Sequence, residues 1–232
     1  MSKKIAIIGG GPSGLMAAEI LSAAGHDVTI YERKPSFGRK FLMAGRGGLN
    51  ITHSENSENF IQKYGDKADI LKPIINGFSP QDLRDWCHDL GEETFIGSSG
   101  RVFPKSFKAS PLLRAWLGRL ENQGVQFRLN HDWQGWNKEN LVFKTSNGLV
   151  QVSADATLLA LGGASWPRLG ADGSWVSILQ KEQVNIAPLR PANCGFFVEW
   201  SDFFADKFKG APLKSIDLSL QDKKIRGEFI IT

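Results

Sequence analysis

Lys3-Lys4-Ile5-Ala6-Ile7-Ile8-Gly9-Gly10-Gly11-Pro12-Ser13-Gly14 is the stretch on which the fold turns. Two lysines lead into four apolar residues, which predicts a short buried β-strand from Lys3 to Ile8. Glycines follow at once. Leu15 to Ala24 is rich in Ala and Leu and predicts a helix, with Gly25 placed as its C′ residue. Asp27 to Tyr31 predicts a second strand, which closes on Glu32. Strand, Gly-x-Gly-x-x-Gly, helix, strand and carboxylate thus fall within about 30 residues.

Each part has a mechanical reason. Gly9 permits a tight turn, Gly11 lets backbone approach a pyrophosphate, and Gly14 lets the helix pack closely on the strand. The free N–H groups and positive dipole end at the helix N-terminus suit phosphate oxygens. Glu32 lies about 20 residues past the central glycine, where a carboxylate accepts hydrogen bonds from a ribose diol. Arg33 and Lys34 follow it, but Glu32 in the ribose position argues against a 2′-phosphate and so against NADP in this site. Against this stands a plain glycine turn in an ordinary βαβ unit; the agreement of every element around the motif favours the dinucleotide reading.

Composition bounds the alternatives. The chain has 232 residues, 41% of them hydrophobic, and a formal charge of +4. Lys105, Lys108, Arg114 and Arg119 form one candidate basic patch and Lys223, Lys224 and Arg226 another; a solvated face explains such clusters better than nucleic acid does. Cys87 and Cys194 stand far apart, which argues against a redox disulfide, a structural zinc site and a secreted disulfide framework. No apolar run reaches the roughly 18 residues of a membrane span, and no leader precedes the first strand, so a soluble cytoplasmic protein is expected.

Pro35 to Thr52 is the second informative stretch: Pro35-Ser36-Phe37-Gly38-Arg39-Lys40-Phe41-Leu42-Met43-Ala44-Gly45-Arg46-Gly47-Gly48-Leu49-Asn50-Ile51-Thr52. Glycine at this density serves backbone that runs close to something flat or adopts positive φ. A long surface loop is the competing explanation. Gly38-Arg39-Lys40 followed by Met43 to Thr52 resembles the signature of the BaiN and aminoacetone-oxidase-like bacterial flavoproteins, themselves similar to the glutathione-reductase type of FAD fold. The resemblance implies FAD in a Rossmann-like domain interrupted by an inserted β-rich domain. It implies an adenosine-diphosphate site at Gly9, Gly11, Pro12, Ser13, Gly14, Glu32 and Arg33. It also implies that Lys40, Gly45, Arg46, Gly47, Gly48, Asn50 and Thr52 run beside the flavin and its ribityl chain.

Further along, Ser54 to Lys72 reads as partly helical, with a loop at Glu55 to Glu58. Ser79-Pro80 and Ser110-Pro111 read as helix starts. The first helix carries Leu83, Trp86, Cys87 and Leu90 at helical spacing; the second carries Leu112, Leu113, Trp116, Leu117 and Leu120. Cys87 on that apolar face reads as a buried thiol and not a nucleophile. Glu92 to Phe103 reads as a two-stranded excursion, Val125 to Leu129 as a strand, and Trp133 to Val152 as a small β-meander. The seven tryptophans are explained by core packing.

Ala156 to Leu161 is a continuous apolar run, as in a buried parallel strand. It ends in Gly162 and Gly163, where such strands meet ligands. The turn Gly170 to Gly173, with Asp172, leads into a helix; resemblance implies that it closes over the cofactor, while a simple Gly/Asp helix cap is an equal alternative. Val184 to Leu189 reads as a strand. From Pro188 the chain turns to short alternating segments, Gly195 to Trp200, Ile216 to Leu220 and Glu228 to Thr232.

The expected architecture is therefore α/β. A Rossmann-like FAD-binding domain with a mostly parallel sheet and a small β-meander covers residues 1–190. The beginning of an inserted β-rich domain covers 191–232. On the family resemblance that domain would continue, and a later segment would return to complete the FAD domain; the chain reads as C-terminally truncated. The expected function is an FAD-dependent oxidoreductase acting on a small-molecule substrate. Resemblance implies either NAD(P)H-driven reduction of a conjugated double bond or oxidation of a small amine. The alternatives are an NAD-binding dehydrogenase and a non-catalytic nucleotide-binding fragment of a longer flavoprotein. Arg46, Asn50, Thr52 and His53 are the polar groups expected nearest the ring, in holding roles. Of these only His53 ordinarily titrates near neutral pH.

Overall fold

The computed structural model describes residues 1–43, 48–191, 195 and 197–231. The chain divides into two units, residues 1–189 and 190–232.

In the first unit, β1 (Lys4–Ile8), α1 (Pro12–Ala23) and β2 (Asp27–Glu32) form the expected βαβ start. The helix begins at Pro12, three residues earlier than the Ala/Leu pattern marks, because proline is pre-set for the first helical turn. A single turn, α2 (Arg39–Leu42), is followed by β3 (Thr52–His53), α3 (Ser57–Gln62), α4 (Ala68–Gly77) and α5 (Pro80–Asp89). Ser79 caps α5 through a capping box with Asp82. Then come β4 (Thr94–Ile96), β5 (Arg101–Pro104) and α6 (Ala109–Asn122). Here the expected Ser110-Pro111 start is corrected: Lys108 is the N-cap, and Ser110 lies inside the first turn with no capping role. Next are β6 (Gln126–Leu129), β7 (Asp132–Asn137), β8 (Asn140–Thr145), β9 (Gly148–Val152), β10 (Ala156–Leu159) and α7 (Trp175–Lys181).

The main sheet is parallel in the order β10-β1-β2-β6. The period-2 geometry of β1 divides the core. Ile5 and Ile7 face α1 and α6, packing with Leu15, Ala18, Leu113, Trp116 and Leu120. Ala6 and Ile8 face the antiparallel meander β7-β8-β9, packing with Trp133, Leu141 and Phe143. Helices thus cover one face of the sheet and the meander covers the other. A third sheet, β3-β5-β4, holds Thr52 and His53 against Val102 and Arg101.

Two expectations about strands fail in this unit. Ala156 to Leu161 gives a parallel strand as expected, but not a buried one: β10 pairs with β1 at the sheet's edge, with Ala156 and Thr157 exposed. Val184 to Leu189 is not a strand. The Val184 amide donates to the Leu179 carbonyl at 3.1 Å and so closes α7, and Pro188 has no N–H to offer a ladder.

Inside the helical layer, Glu19 of α1 is 8% exposed. Its carboxylate accepts from Trp116 Nε1 at 2.6 Å, Trp86 Nε1 at 3.1 Å and an Arg119 guanidinium nitrogen at 2.8 Å. This hub ties α1 to α5 and α6 and satisfies an otherwise costly buried charge. Cys87 is fully buried as expected, and burial pushes its thiol up to about 12.

The second unit contains α8 (Asp202–Phe208), capped by Ser201, and an antiparallel hairpin of β11 (Pro212–Leu220) and β12 (Lys223–Ile230). Residues 195 and 197–200, expected as an alternating strand, are irregular; Trp200 instead stacks on Phe204 of α8 at 4.8 Å. Members of both basic clusters are ion-paired: Lys105 with Glu93, Arg119 with Glu19 and Lys224 with Asp217.

Candidate functional site

A cleft with a wide open mouth lies in the first unit. Its floor is the carboxyl ends of three adjacent parallel strands: Ile8 of β1, Tyr31 and Glu32 of β2, and Ala160 to Gly162 past β10. The chain leaves β1 toward β2 on one side and returns beside β1 as β10 on the other. That is a topological switch point, where open parallel sheets hold ligands.

The glycine turn follows the fingerprint's mechanics. Gly9 has φ +111, and a Cβ there would stand 2.3 Å from the Ala160 carbonyl oxygen. A Cβ on Gly14 would stand 2.0 Å from the Gly9 carbonyl oxygen, so α1 packs as closely as the motif demands. Gly11 differs: a Cβ there would meet nothing within 4 Å. Its lack of a side chain serves no packing within the protein; it keeps space clear in the cleft at the N-terminus of α1.

Glu32 faces this turn. Oε2 accepts the Gly10 amide at 2.8 Å and Oε1 the Lys34 amide at 2.8 Å. Arg33 points across the cleft's rim. Its guanidinium makes a two-pronged pair with Asp172, at 2.9 and 3.0 Å, reaches Ser174 at 3.1 Å, and lies 3.4 Å from Asp132. The hydrogen bonds from Arg33 hold the Asp172 carboxyl well below the usual carboxylate range, and the same bonds raise Arg33. Burial raises the Tyr31 phenol.

Of the residues read from the sequence, Gly9, Gly11, Glu32, Arg33, Lys40, Gly162 and Gly170 line the cleft. Pro12, Ser13 and Gly14 form the first turn of α1 beside it. Asp172 does not line it, nor does Gly163; Asp172 acts on Arg33 instead. Lys40 Nζ donates to Ser165 Oγ at 2.8 Å. Gly48, Asn50 and Thr52 lie away from the cleft wall: the Leu49 and Ile51 amides bond Phe107 and Val102 carbonyls, and Thr52 is buried in β3. His53 has both ring nitrogens engaged. Nε2 donates to the Ser99 carbonyl at 2.9 Å, and Nδ1 sits 3.2 Å from the Glu55 amide and 3.3 Å from its carboxylate. Gly45, Arg46 and Gly47 fall outside the described residues.

The structure adds residues that motif reading missed: Arg39, His131, Asp132, Trp133, Trp175 and Ile178. Among the described residues three buried side-chain donors lack an acceptor, Arg39 Nε, Trp133 Nε1 and Trp175 Nε1, and all belong to residues of this wall. Phosphates, sugars and flavins supply acceptors in number. A signal for the 131–133 group was present: a parallel strand ending at Leu129 beside β2 must deliver its next residues next to Glu32. Open space over Gly11, an acidic β2 terminus and unpartnered donors in the wall together fit an ADP-containing dinucleotide such as FAD.

Known proteins place this arrangement. Residues 3–231 match the HI0933-like protein Rossmann domain. The chain is 26% identical over 196 residues to the 3-dehydro-bile acid delta(4,6)-reductase of Clostridium scindens, a match covering 82% of this chain and 46% of that protein. It is 25% identical over 244 residues to the ribosomal RNA dihydrouridine synthase of Haemophilus influenzae, covering 97% and 57%. The chain thus spans about half the length of these curated relatives. In fold it is similar to the 3-ketosteroid-delta4-(5alpha)-dehydrogenase of Rhodococcus jostii RHA1, with a TM-score of 0.56 at 17% identity over 78% of this chain and 53% of that one. No helix among the described residues is long and apolar enough to cross a membrane. With that match running over nearly the whole chain, this chain belongs to the family of the HI0933-like protein Rossmann domain.

Proposed function

We propose that the first unit holds FAD in this cleft, and that the protein reduces a carbon–carbon double bond conjugated to a carbonyl, with NAD(P)H as the electron source. The observation that carries the cofactor assignment is the clear space over Gly11 between the N-terminus of α1 and the Glu32 carboxylate. In this reading the amides of the first turn of α1 bind the diphosphate. Glu32 orients the adenosine ribose with the lone pairs left over from Gly10 and Lys34. Arg33, fastened to Asp172, closes the rim. Lys40 and the backbone at Gly162 serve the flavin half. FAD, when bound, supplies hydride exchange at its N5.

The substrate class rests on the two relatives. The names of both, a 3-dehydro-bile acid delta(4,6)-reductase and a dihydrouridine synthase, denote saturation of a double bond conjugated to a carbonyl. A small molecule with such a bond is the substrate proposed here, in a cytoplasmic setting where NAD(P)H is at hand.

The purified chain is expected to be yellow and to release FAD on denaturation. Under anaerobic conditions NADH or NADPH should bleach it, and an α,β-unsaturated ketone should restore the colour. Restoration by oxygen alone would make the protein an oxidase. A colourless chain that takes up no added FAD contradicts the cofactor assignment, and uptake of NAD in its place makes the cleft a nicotinamide site.

A further inference from the structure

Two segments leave the main sheet on either side of β1: residues 33–40 after β2, and residues 161–174 after β10. Both line the cleft, the first through Arg33 and Lys40, the second through Leu169, Gly170 and Ala171. Basic side chains of the first hold the second at three places. Arg33 makes its two-pronged pair with Asp172, at 2.9 and 3.0 Å. Lys40 Nζ donates to Ser165 Oγ at 2.8 Å. The methylene stem of Lys34 lies so near Gly170 that a Cβ there would stand 3.1 Å from it. These ties therefore run between two walls of the cleft.

The second segment is otherwise self-contained. Trp166 and Ala171 exchange backbone hydrogen bonds at 3.1 and 3.2 Å around a single 3₁₀ turn, Pro167–Leu169. Among the described residues, the backbone-to-backbone hydrogen bonds of 164–172 all close within it. Within 164–172 only Ala171 is buried. Gly162 and Gly173 bracket the segment at φ +70 and +73, a region that glycine enters without steric cost. Little apolar burial and no shared backbone ladder make such a piece cheap to open.

We propose that residues 163–173 form a latch over the cleft, and that the Arg33–Asp172 and Lys40–Ser165 bonds set how fast a dinucleotide enters and leaves. This rests on the reading of the cleft as an FAD site and adds the step that controls exchange. Both ties join protein to protein, so loosening them acts alike on the chain with and without FAD. Entry and exit then quicken together, and affinity stays where it was.

The test is FAD exchange by the full chain: uptake of added FAD followed by flavin absorbance, and release followed after addition of excess ADP. Asp172→Asn removes the charge and keeps the side chain's size. It should speed uptake and release alike by about fivefold, the scale of one partly exposed ion pair, with the equilibrium affinity for FAD unchanged. Raising NaCl from about 50 to about 500 mM should speed both rates of the wild type more than those of Asp172→Asn, because salt screens the pair. Ser165→Ala should speed both rates by a similar factor, the scale of one hydrogen bond, and decides the matter if the Asn variant does not fold. Unchanged rates in both variants overturn the latch and leave the FAD site standing. Faster release with unchanged uptake, and hence weaker affinity, overturns it as well, since the ties would then hold the ligand and not the entrance. A wild-type chain that takes up no FAD removes the site and the latch together.

Discussion

Glu32 Oε2 accepts the Gly10 amide at 2.8 Å, so the carboxylate that ends β2 braces the glycine turn that opens α1. Its other oxygen holds the Lys34 amide. A carboxylate has about four lone-pair positions, which leaves capacity for a sugar. Glu32→Ala therefore strands two backbone amides as well as removing sugar acceptors, and should cost about 1–3 kcal/mol of stability. Glu32→Gln keeps one acceptor oxygen. It should retain most of the stability and weaken FAD binding about tenfold, the effect of losing one charge-assisted bond. Urea midpoints and flavin titrations of both variants check this; a Gln variant that binds FAD as the wild type does would free Glu32 from the ribose.

The Arg33–Asp172 pair makes stability depend on acid. Hydrogen bonds from Arg33 depress the Asp172 pKa in the folded chain. A depressed carboxylate contributes stability that is present above its unfolded value of about 4 and lost as pH falls through the folded one. Asp172→Asn should remove about 1 kcal/mol at neutral pH, the scale for a partly exposed pair. It should also flatten the decline in urea midpoint below about pH 4. A decline as steep as the wild type's would assign the acid dependence to other groups.

Glu19 carries a different kind of risk. Three donors converge on it in a buried layer, so Glu19→Ala leaves Arg119 and two indoles unpaired. A loss of about 3–5 kcal/mol is expected, as for breaking a buried pair from one side. Tryptophan fluorescence should shift with it, because Trp86 and Trp116 both lose their acceptor. A stability change under about 1 kcal/mol would mean that the hub relaxes without cost.

Much of this was legible in the chain because the signals were local. Ile5 to Ile8 alternate between two faces, Gly14 must lack a Cβ, and Ser79-Pro80 with Asp82 announces a helix within four residues. Failures came where partners decide. Val184 to Leu189 has strand-like residues, but its first amide serves α7. Ala156 to Leu161 is as apolar as a central strand yet lies at an edge, since pairing and not composition sets position. Arg33 reaches Asp172 from 139 residues away, a pairing that no local pattern shows. No spacing rule links His131 and Trp133 to Glu32; only the parallel register of β2 and β6 does.

The dinucleotide site itself is tested most directly by FAD titration of Gly11→Val beside the wild type, with thermal melting of both. A Cβ at position 11 meets no protein atom within 4 Å, and Gly11 lies at φ −84, which any residue adopts. The variant is therefore predicted to melt with the apoprotein and to take up no FAD, because its branched side chain fills the space where a diphosphate must approach backbone. Wild-type FAD affinity in a folded Gly11→Val chain would contradict the account.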